Sequence, residues 1–238
     1  MSRNALHWHA VLFDLDDTLY LERDFVLGGF RAVAAWLAGE CGQDPEELNS
    51  LLAGWFEQGV RGNTFNMLLQ RLSLRREGLL EQLVGLYREH EPRISPSPEV
   101  PVLLAGLEKK CALGLVSDGY SRTQRRKLKA LGLADRFRAM VISDELPDKA
   151  RKPSPRPFWA ALEGLGVAPE NAVYVADNPE KDFVGARRAG LASVRVRRPQ
   201  GIYSHLEPVD RVHEPDLEVA DLVELERVLA ALAASRST

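Results

Sequence analysis

Three carboxylates follow a short apolar run near the start of the chain. The run Ala10–Phe13 is followed by Asp14, Asp16, Asp17 and Thr18. A short run rich in Val, Leu and Phe favours a strand buried on both faces of a parallel sheet. Asp14 and Asp16 would point the same way if the strand continued, and close carboxylates repel unless a cation or a shared proton relieves them. The pair therefore indicates a hard cation such as Mg²⁺, although an acidic loop that only caps a strand is the alternative reading of so short a motif.

The rest of the chain predicts the elements that would position these acids. After residue 100, short apolar runs alternate with helical patterns, which is typical of a Rossmann-like α/β fold: a parallel sheet with helices on both faces. We place the Ala10–Phe13 strand at the centre of this sheet. The predicted strands are residues 10–13, 111–116, 137–142, 172–176 and 191–196. Beyond Pro199 the signals weaken, and one further helix is predicted near residues 220–234.

Polar residues follow each of the first four predicted strands. Ser117 follows the second, Lys152 lies in the loop after the third, and Asp177 ends the fourth. Parallel strands with right-handed crossovers have their carboxyl ends along one edge, where open α/β sheets hold ligands. Asp14 and Asp177 would supply carboxylates to Mg²⁺, Ser117 would donate to phosphate oxygens, and Lys152 would add positive charge. This set suits phosphoryl transfer to Asp14, with Asp16 protonating the departing oxygen.

Residues 20–91 carry helical periodicity without strand alternation, and a proline-rich stretch, residues 91–101, follows them. An insertion of this length is far longer than an ordinary βα loop, so it predicts a small helical subdomain. The predicted domains are a catalytic core of residues 1–19 and 100–238 and an α-helical cap of residues 20–99.

The four polar clusters resemble, in order, the four motifs of the haloacid dehalogenase superfamily. The matching segments are residues 14–19 (Asp-Leu-Asp-Asp-Thr-Leu), residues 117–119 (Ser-Asp-Gly), the pair Lys152–Pro153 and residues 177–182. The third assignment depends on the Lys-Pro pair, because Lys149 and Arg151 precede it. The helical insertion is similar to the cap that one subclass carries between the first and second motifs.

The resemblance implies a role for each matching residue. Asp14 is implied as nucleophile and Mg²⁺ ligand, and Asp16 as general acid and base whose backbone carbonyl also binds the metal. The remaining implied roles are phosphate binding for Ser117, Asp118 and Lys152, metal ligation for Asp177, and ordering of the groups around the metal or of Lys152 for Asp182.

The acid at position 16 argues for phosphate ester hydrolysis, because an alkoxide leaving group needs a proton and a halide does not. We therefore expect a Mg²⁺-dependent phosphatase acting on a small phosphorylated metabolite, such as a sugar phosphate or a nucleotide. A phosphomutase, a dehalogenase and a non-catalytic protein that binds a phosphorylated ligand are the alternatives. Arg61, Asn63 and Asn66 of the cap are candidates for substrate selection.

Composition restricts the partners and the compartment. With 45% hydrophobic and 27% charged residues the chain is typical of a globular protein, and a formal charge of −3 gives no reason to expect nucleic acid or an anionic membrane as partner. No apolar run reaches the ~18 residues of a membrane span, and residues 1–10 lack the apolar core of a secretory signal, so the cytoplasm is expected. Nothing in the sequence indicates an oligomeric state.

Two local expectations concern the helix after the second strand. Ser121 and Gln124 have the spacing of a capping box at its start. Its basic residues are expected to form a solvated face, because the chain is net acidic and no aromatic residues alternate with them. These basic residues are Arg122, Arg125, Arg126, Lys127 and Lys129.

Overall fold

The computed structural model describes residues 8–236. Most of the N-terminal stretch that bears on the predicted compartment lies outside this range. All six strands of the described sheet run parallel, in the order β3-β2-β1-β4-β5-β6. The strands are β1 (Ala10–Phe13), β2 (Ala112–Ser117), β3 (Ala139–Ile142), β4 (Ala172–Ala176), β5 (Ala192–Val196) and β6 (Leu217–Val219). The prediction of a parallel α/β sheet is thus confirmed.

Strand β1 lies in the middle of the sheet, as predicted, with β2 and β4 as its neighbours, and all four of its residues are buried. Pairing with β4 continues one residue beyond it, where the Asp14 amide donates to the carbonyl of Val175 at 2.9 Å. The first acid of the motif is therefore fixed to the sheet by a backbone hydrogen bond. Its carboxylate emerges at the carboxyl edge of the sheet, next to the ends of the two neighbouring strands.

Helices surround this sheet, and their positions follow the predicted alternation. They are α5 (Val100–Leu107), α6 (Ser121–Ala130), α7 (Arg156–Leu165), α8 (Asp182–Ala189) and α9 (Leu225–Arg236). Apolar residues of α7 and α8, such as Phe158 and Phe183, are buried in one core cluster with Leu12 of β1 and Tyr174 of β4. No helix within residues 8–236 is long and apolar enough to cross a membrane.

Two details differ from the sequence-based expectation. The strand β6 was not predicted, because its three residues are partly or fully exposed and carry no buried apolar run. The predicted capping box is wrong. Helix α6 begins at Ser121 with Tyr120 as its N-cap, which makes no side-chain cap hydrogen bond. The Gln124 side chain bonds to Asp16 and Ser117 instead of the helix start.

Contacts between Cα atoms divide the chain into two units, one running to Glu22 and resuming at Ile94, the other Arg23–Arg93. The second unit is helical. Its helices are α1 (Glu22–Cys41), α2 (Pro45–Glu57), α3 (Thr64–Arg71) and α4 (Leu79–Glu89). Helix α1 begins one residue before this unit does. The domain limits predicted from the sequence, at residues 19/20 and 99/100, remain a prediction.

Aromatic rings form the centre of the helical unit. Phe30 packs against Phe56, Phe65 and Tyr87 with ring centroids 5.8–6.2 Å apart. Tyr87 also lies directly against Gly29, where an added Cβ would collide with its ring. The small residue at position 29 therefore permits a close helix contact.

Candidate active site

Three buried carboxylates meet at the carboxyl ends of β1 and β4. One oxygen from each of Asp14, Asp177 and Asp182 lies within 4.8 Å of the others. Asp14 follows β1, Asp177 follows β4, and Asp182 begins α8. Oδ2 of Asp177 is buried without a hydrogen-bond partner among the described residues. An unsatisfied buried carboxylate oxygen is costly, and a hard cation bound by oxygen would remove that cost, so this donor set fits Mg²⁺.

Burial and mutual repulsion raise the pKa values of two of these acids. Burial is the main cause that raises the pKa of Asp14 to about 6, against the lowering effect of the Lys152 charge. Burial, followed by the charges of Asp182 and Asp14, raises the pKa of Asp177 well above its ordinary value. Both groups would hold protons more strongly than free carboxylates until a cation offsets the repulsion.

Lys152 neutralises part of this cluster from inside the protein. Its side chain is fully buried, and Nζ lies 2.9 Å from Asp14 Oδ2, 2.8 Å from Asp182 Oδ1 and 2.9 Å from the Tyr174 hydroxyl. Burial alone would lower the pKa of Lys152, but the charges of Asp14 and Asp182 raise it well above its ordinary value. Lys149, the other lysine near the third motif, has a side chain 71% exposed, so the structure places Lys152 at the site and Lys149 outside it.

The three hydrogens of the Lys152 ammonium match three protein oxygens. A lysine side chain donates through three N–H bonds and accepts none. With Asp14, Asp182 and Tyr174 in place, a phosphate oxygen would have to share or replace one of these partners. Tyr174 was not singled out by sequence analysis, because a tyrosine inside an apolar strand has the pattern of a core residue. Its hydroxyl also lies 3.3 Å from Asp182 Oδ1, so it joins the lysine to the acid.

A second cluster surrounds the carboxylate of Asp16. Lys127 Nζ lies 2.7 Å from Oδ1, and the Tyr20 hydroxyl donates to the same oxygen. The Gln124 amide donates to Oδ2 at 2.9 Å and to the Ser117 hydroxyl oxygen at 2.7 Å. Lys127 is buried, so the expectation of a wholly solvated basic face on α6 is wrong at this residue. Its neighbours Arg122, Arg125 and Lys129 are exposed, as expected.

This cluster sets the charge of Asp16. Burial alone would raise the pKa of Asp16, but the charge of Lys127 and the hydrogen bonds from Lys127, Tyr20 and Gln124 outweigh burial and hold that pKa below its ordinary value. The sequence predicts that Asp16 protonates the departing oxygen, which requires a proton on its carboxyl group. The structure favours the ionised form of Asp16, because a buried lysine from another element reaches it.

The second motif lies beside both clusters. Ser117 ends β2 and is buried, and its hydroxyl oxygen accepts from Gln124. Asp118 Oδ1 accepts from the Lys152 backbone amide at 3.3 Å, and its Oδ2 lies 3.8 Å from Lys181 Nζ. The structure thus brings the core candidates of all four motifs to one edge of the sheet, as the topology predicted.

Residues 195 and 202 form hydrogen bonds with the loops that carry Asp17 and Asp177. Asp17, buried with a φ of 53°, accepts from the backbone amides of Glu22 and Ile202 at 2.8 and 2.7 Å. Arg195 is fully buried, and its Nε donates to the Asp177 carbonyl at 3.1 Å. Its Nη2 donates to the carbonyls of Tyr203 and Leu206. No motif pattern indicated the contacts of Ile202 and Arg195, since Ile202 lies 185 residues from Asp17 and Arg195 lies 18 residues from Asp177.

The three candidates for substrate selection lie in the helical unit. Arg61 donates to the carbonyls of Phe56 and Val60, and its guanidinium lies 3.8 Å from the centroid of the Phe56 ring. Asn63 is the N-cap of α3 but makes no side-chain cap hydrogen bond, and both Asn63 and Asn66 are exposed. Their part in substrate selection stays a prediction.

Comparisons with known proteins agree with this geometry. A family model described as haloacid dehalogenase-like hydrolase matches residues 11–196. A glyceraldehyde 3-phosphate phosphatase of Methanopyrus kandleri is 36% identical, covering 94% of this chain and 98% of that protein. A phosphoserine phosphatase of Thermus thermophilus is also 36% identical, covering 83% of this chain and 68% of that protein.

Among solved structures, a haloacid dehalogenase-type phosphatase from Thermococcus onnurineus superposes with a TM-score of 0.63 at 28% identity. The alignment covers 92% of this chain and 97% of that one. The family model spans most of the chain and includes all four motifs that surround the carboxylate cluster. The chain therefore belongs to the haloacid dehalogenase-like hydrolase family and is an enzyme of that family.

Proposed function

We propose that this enzyme is a Mg²⁺-dependent phosphatase that hydrolyses a small phosphate monoester through an aspartyl-phosphate at Asp14. The observation that carries the proposal is the buried group of Asp14, Asp177 and Asp182 with the ammonium of Lys152 among them. Asp14 and Asp177, with the backbone carbonyl of Asp16, would hold Mg²⁺, and Asp182 would order the groups around it. Bound Mg²⁺ would supply positive charge that offsets the negative charge of the phosphoryl oxygens.

In the first step the Asp14 carboxylate attacks phosphorus, and the bond between phosphorus and the ester oxygen breaks. The departing alkoxide takes its proton from the Asp16 carboxyl. In the second step water attacks the phosphorus of the aspartyl-phosphate, and the Asp16 carboxylate accepts a proton from that water. Phosphate leaves and the Asp14 carboxylate is restored. Because Lys127 favours the ionised form of Asp16, this residue is prepared for its role as base. The proton that it accepts from water in the second step is the one that it donates to the departing oxygen in the next turnover.

The residues proposed to bind the phosphate group are distinct from those proposed to contact the rest of the substrate. Ser117, the amide of Asp118 and Lys152 are the proposed phosphate donors. Two curated relatives that are each 36% identical are named for glyceraldehyde 3-phosphate and phosphoserine, both small phosphate monoesters. These names support a small phosphorylated metabolite as substrate here, and we assign contacts with its leaving group to Arg61, Asn63 and Asn66. We place the reaction in the cytoplasm.

Release of inorganic phosphate tests the proposal. The purified enzyme would be incubated with p-nitrophenyl phosphate and with a panel that includes glyceraldehyde 3-phosphate, phosphoserine, sugar phosphates and nucleotides. We expect phosphate release with Mg²⁺ and its loss when EDTA removes divalent cations. No release from any substrate at millimolar Mg²⁺ would overturn the proposed activity.

Mg²⁺ is expected to stabilise the fold more at pH 7.5 than at pH 5. The raised pKa values of Asp14 and Asp177 mean that the protonated forms of these acids favour the folded state. Their contribution to the free energy of unfolding is complete below the ordinary aspartate pKa. For Asp14 it is lost as the pH rises through about 6. Mg²⁺ at 100 times its Kd adds about 2.7 kcal/mol, or roughly 5–10 °C in Tm for a chain of this size. Thermal unfolding with and without Mg²⁺ at both pH values measures this difference.

Asp177→Asn is the matched variant for this measurement. It removes one of the repelling charges, so we expect a higher Tm than the wild type at pH 7.5 without Mg²⁺ and a much smaller rise with it. A rise of the same size at pH 5 and pH 7.5 would contradict the assignment of these acids as the metal ligands.

A further inference from the structure

The carboxylate of Asp16 is held at both of its oxygens. Oδ1 receives Lys127 and Tyr20, and Oδ2 receives Gln124. A carboxylate bonded at one oxygen can still rotate about its terminal torsion, because that torsion is broad. Donors at both oxygens, from the loop after β1 and from α6, fix the plane of the group. The direction in which Asp16 can exchange a proton is therefore set by residues outside its own motif.

Two of these donors occupy one face of a single helix. Gln124 and Lys127 are three residues apart on α6, which places them on the same side, and they are 2% and 4% exposed. Lysine is almost never fully buried unless it is paired, since removing its charge from water is costly. The other basic residues of α6 keep their charges at the surface or partly exposed. The burial of Lys127, unlike the exposure of its basic neighbours, is thus explained by its ion pair with Asp16.

Gln124 also connects Asp16 to the second motif. Its side-chain nitrogen has two hydrogens, and its two acceptors are Asp16 Oδ2 and Ser117 Oγ. Because the Ser117 oxygen accepts this bond, the hydroxyl hydrogen of Ser117 remains available to donate to a phosphate oxygen. One amide therefore fixes the distance between the group that moves protons and a group that would bind phosphate.

We propose that Gln124 and Lys127 are positioning residues for the phosphatase reaction. Lys127 holds the Asp16 carboxylate in the orientation that proton transfer needs, and Gln124 holds the side chains of Asp16 and Ser117 at a fixed distance from each other. This proposal rests on the proposed function. Neither residue needs to touch the substrate. The effect of Lys127 is exerted through Asp16, and the effect of Gln124 through Asp16 and Ser117.

A double-mutant cycle between Lys127→Met and Asp16→Asn tests the first part. For an alkyl phosphate substrate, Lys127→Met should lower kcat by about 10- to 100-fold, at or below the lower end of the ~10²- to 10⁴-fold that proton transfer contributes, with KM changed less than about threefold. For p-nitrophenyl phosphate, whose leaving group needs little protonation, the loss should be smaller. In the Asp16→Asn background Lys127→Met should change kcat less than about twofold, because the group it positions is gone.

Lys129→Met is the matched control, since Lys129 is exposed on the same helix, and it should leave kcat and KM unchanged. Lys127→Arg keeps the positive charge and should retain part of the kcat that Lys127→Met loses, which a purely structural role in packing would not predict. An equal loss in the wild-type and Asp16→Asn backgrounds would overturn the proposal and indicate direct contact of Lys127 with the substrate. Equal losses for both leaving groups would also overturn it.

Gln124→Leu tests the second part and remains informative if Lys127→Met does not fold. It should lower kcat with the same dependence on leaving group. It should also raise the KM of the substrate and the inhibition constant of inorganic phosphate, because Ser117 loses its hydrogen bond from Gln124. Unchanged kcat and phosphate inhibition would overturn the role of Gln124. If the wild type releases no phosphate from any substrate, the proposed function fails first; if it does and these variants match it, only the present proposal fails.

Discussion

Replacing Asp14 with asparagine is expected to reduce kcat by at least about 10³-fold, because removing a covalent nucleophile eliminates the pathway that depends on it. The amide has nearly the same shape but is a poor nucleophile, and it cannot carry the negative charge that would bind Mg²⁺. Phosphate release from the best substrate of the panel measures the loss. Activity within tenfold of the wild type would exclude Asp14 as the nucleophile.

The fold should survive this substitution. Asp14 is fully buried among acids, and burial raises its pKa to about 6, so a neutral side chain of the same size relieves repulsion in the absence of metal. The asparagine oxygen can still accept from Lys152. We expect a Tm at pH 7.5 no lower than that of the wild type. Asp148→Asn, in an exposed ion pair with Arg156, is the matched control and should keep full activity.

Lys152→Met is expected to cause the largest loss of stability among these variants, about 3–5 kcal/mol at pH 7.5. Removing one partner of a buried ion pair leaves the other charges uncompensated, and here both Asp14 and Asp182 lose their shared cation. The penalty should shrink at pH 5, where protonation of Asp14, whose pKa burial raises to about 6, removes one of the uncompensated charges. Urea unfolding without Mg²⁺ at both pH values measures the change in free energy.

Lys149→Met provides the comparison for this experiment. Lys149 pairs with Asp144 at 3.3 Å, but its side chain is 71% exposed, so its loss should change the free energy of unfolding by no more than about 0.5 kcal/mol. If both lysine variants lost the same stability, the buried network around Lys152 would not be the cause. A loss at Lys152 below about 1 kcal/mol would likewise contradict it.

The sequence predicted the sheet and the edge where the motifs meet, because that information is local. An apolar run that ends abruptly at an acid identifies both a strand and the position of its carboxyl end, as at Phe13 and Asp14 or at Ala176 and Asp177. Parallel order then brings such ends together without any knowledge of side-chain packing.

The partners of Asp16 could not be predicted in the same way. Whether Lys127 points to solvent or to the site depends on how α6 is rotated against the sheet, and its sequence neighbours are exposed basic residues of the same type. Gln124 fitted a capping box equally well by spacing. Tyr174 and Arg195 alternate with apolar residues inside strands, so their polar ends find partners that only the three-dimensional arrangement reveals.

The central position of β1 has a consequence for how the enzyme is made. The ribosome releases this strand first, yet its two neighbours, β2 and β4, come about 100 and 160 residues later in the chain. The loop that carries the acids is completed still later, when Ile202 donates to Asp17 and Arg198 donates to the carbonyl of Thr18. Pairing over such separations is slow and must wait for synthesis. The sheet edge that carries the acids is therefore complete only after the chain has been synthesised to residue 202.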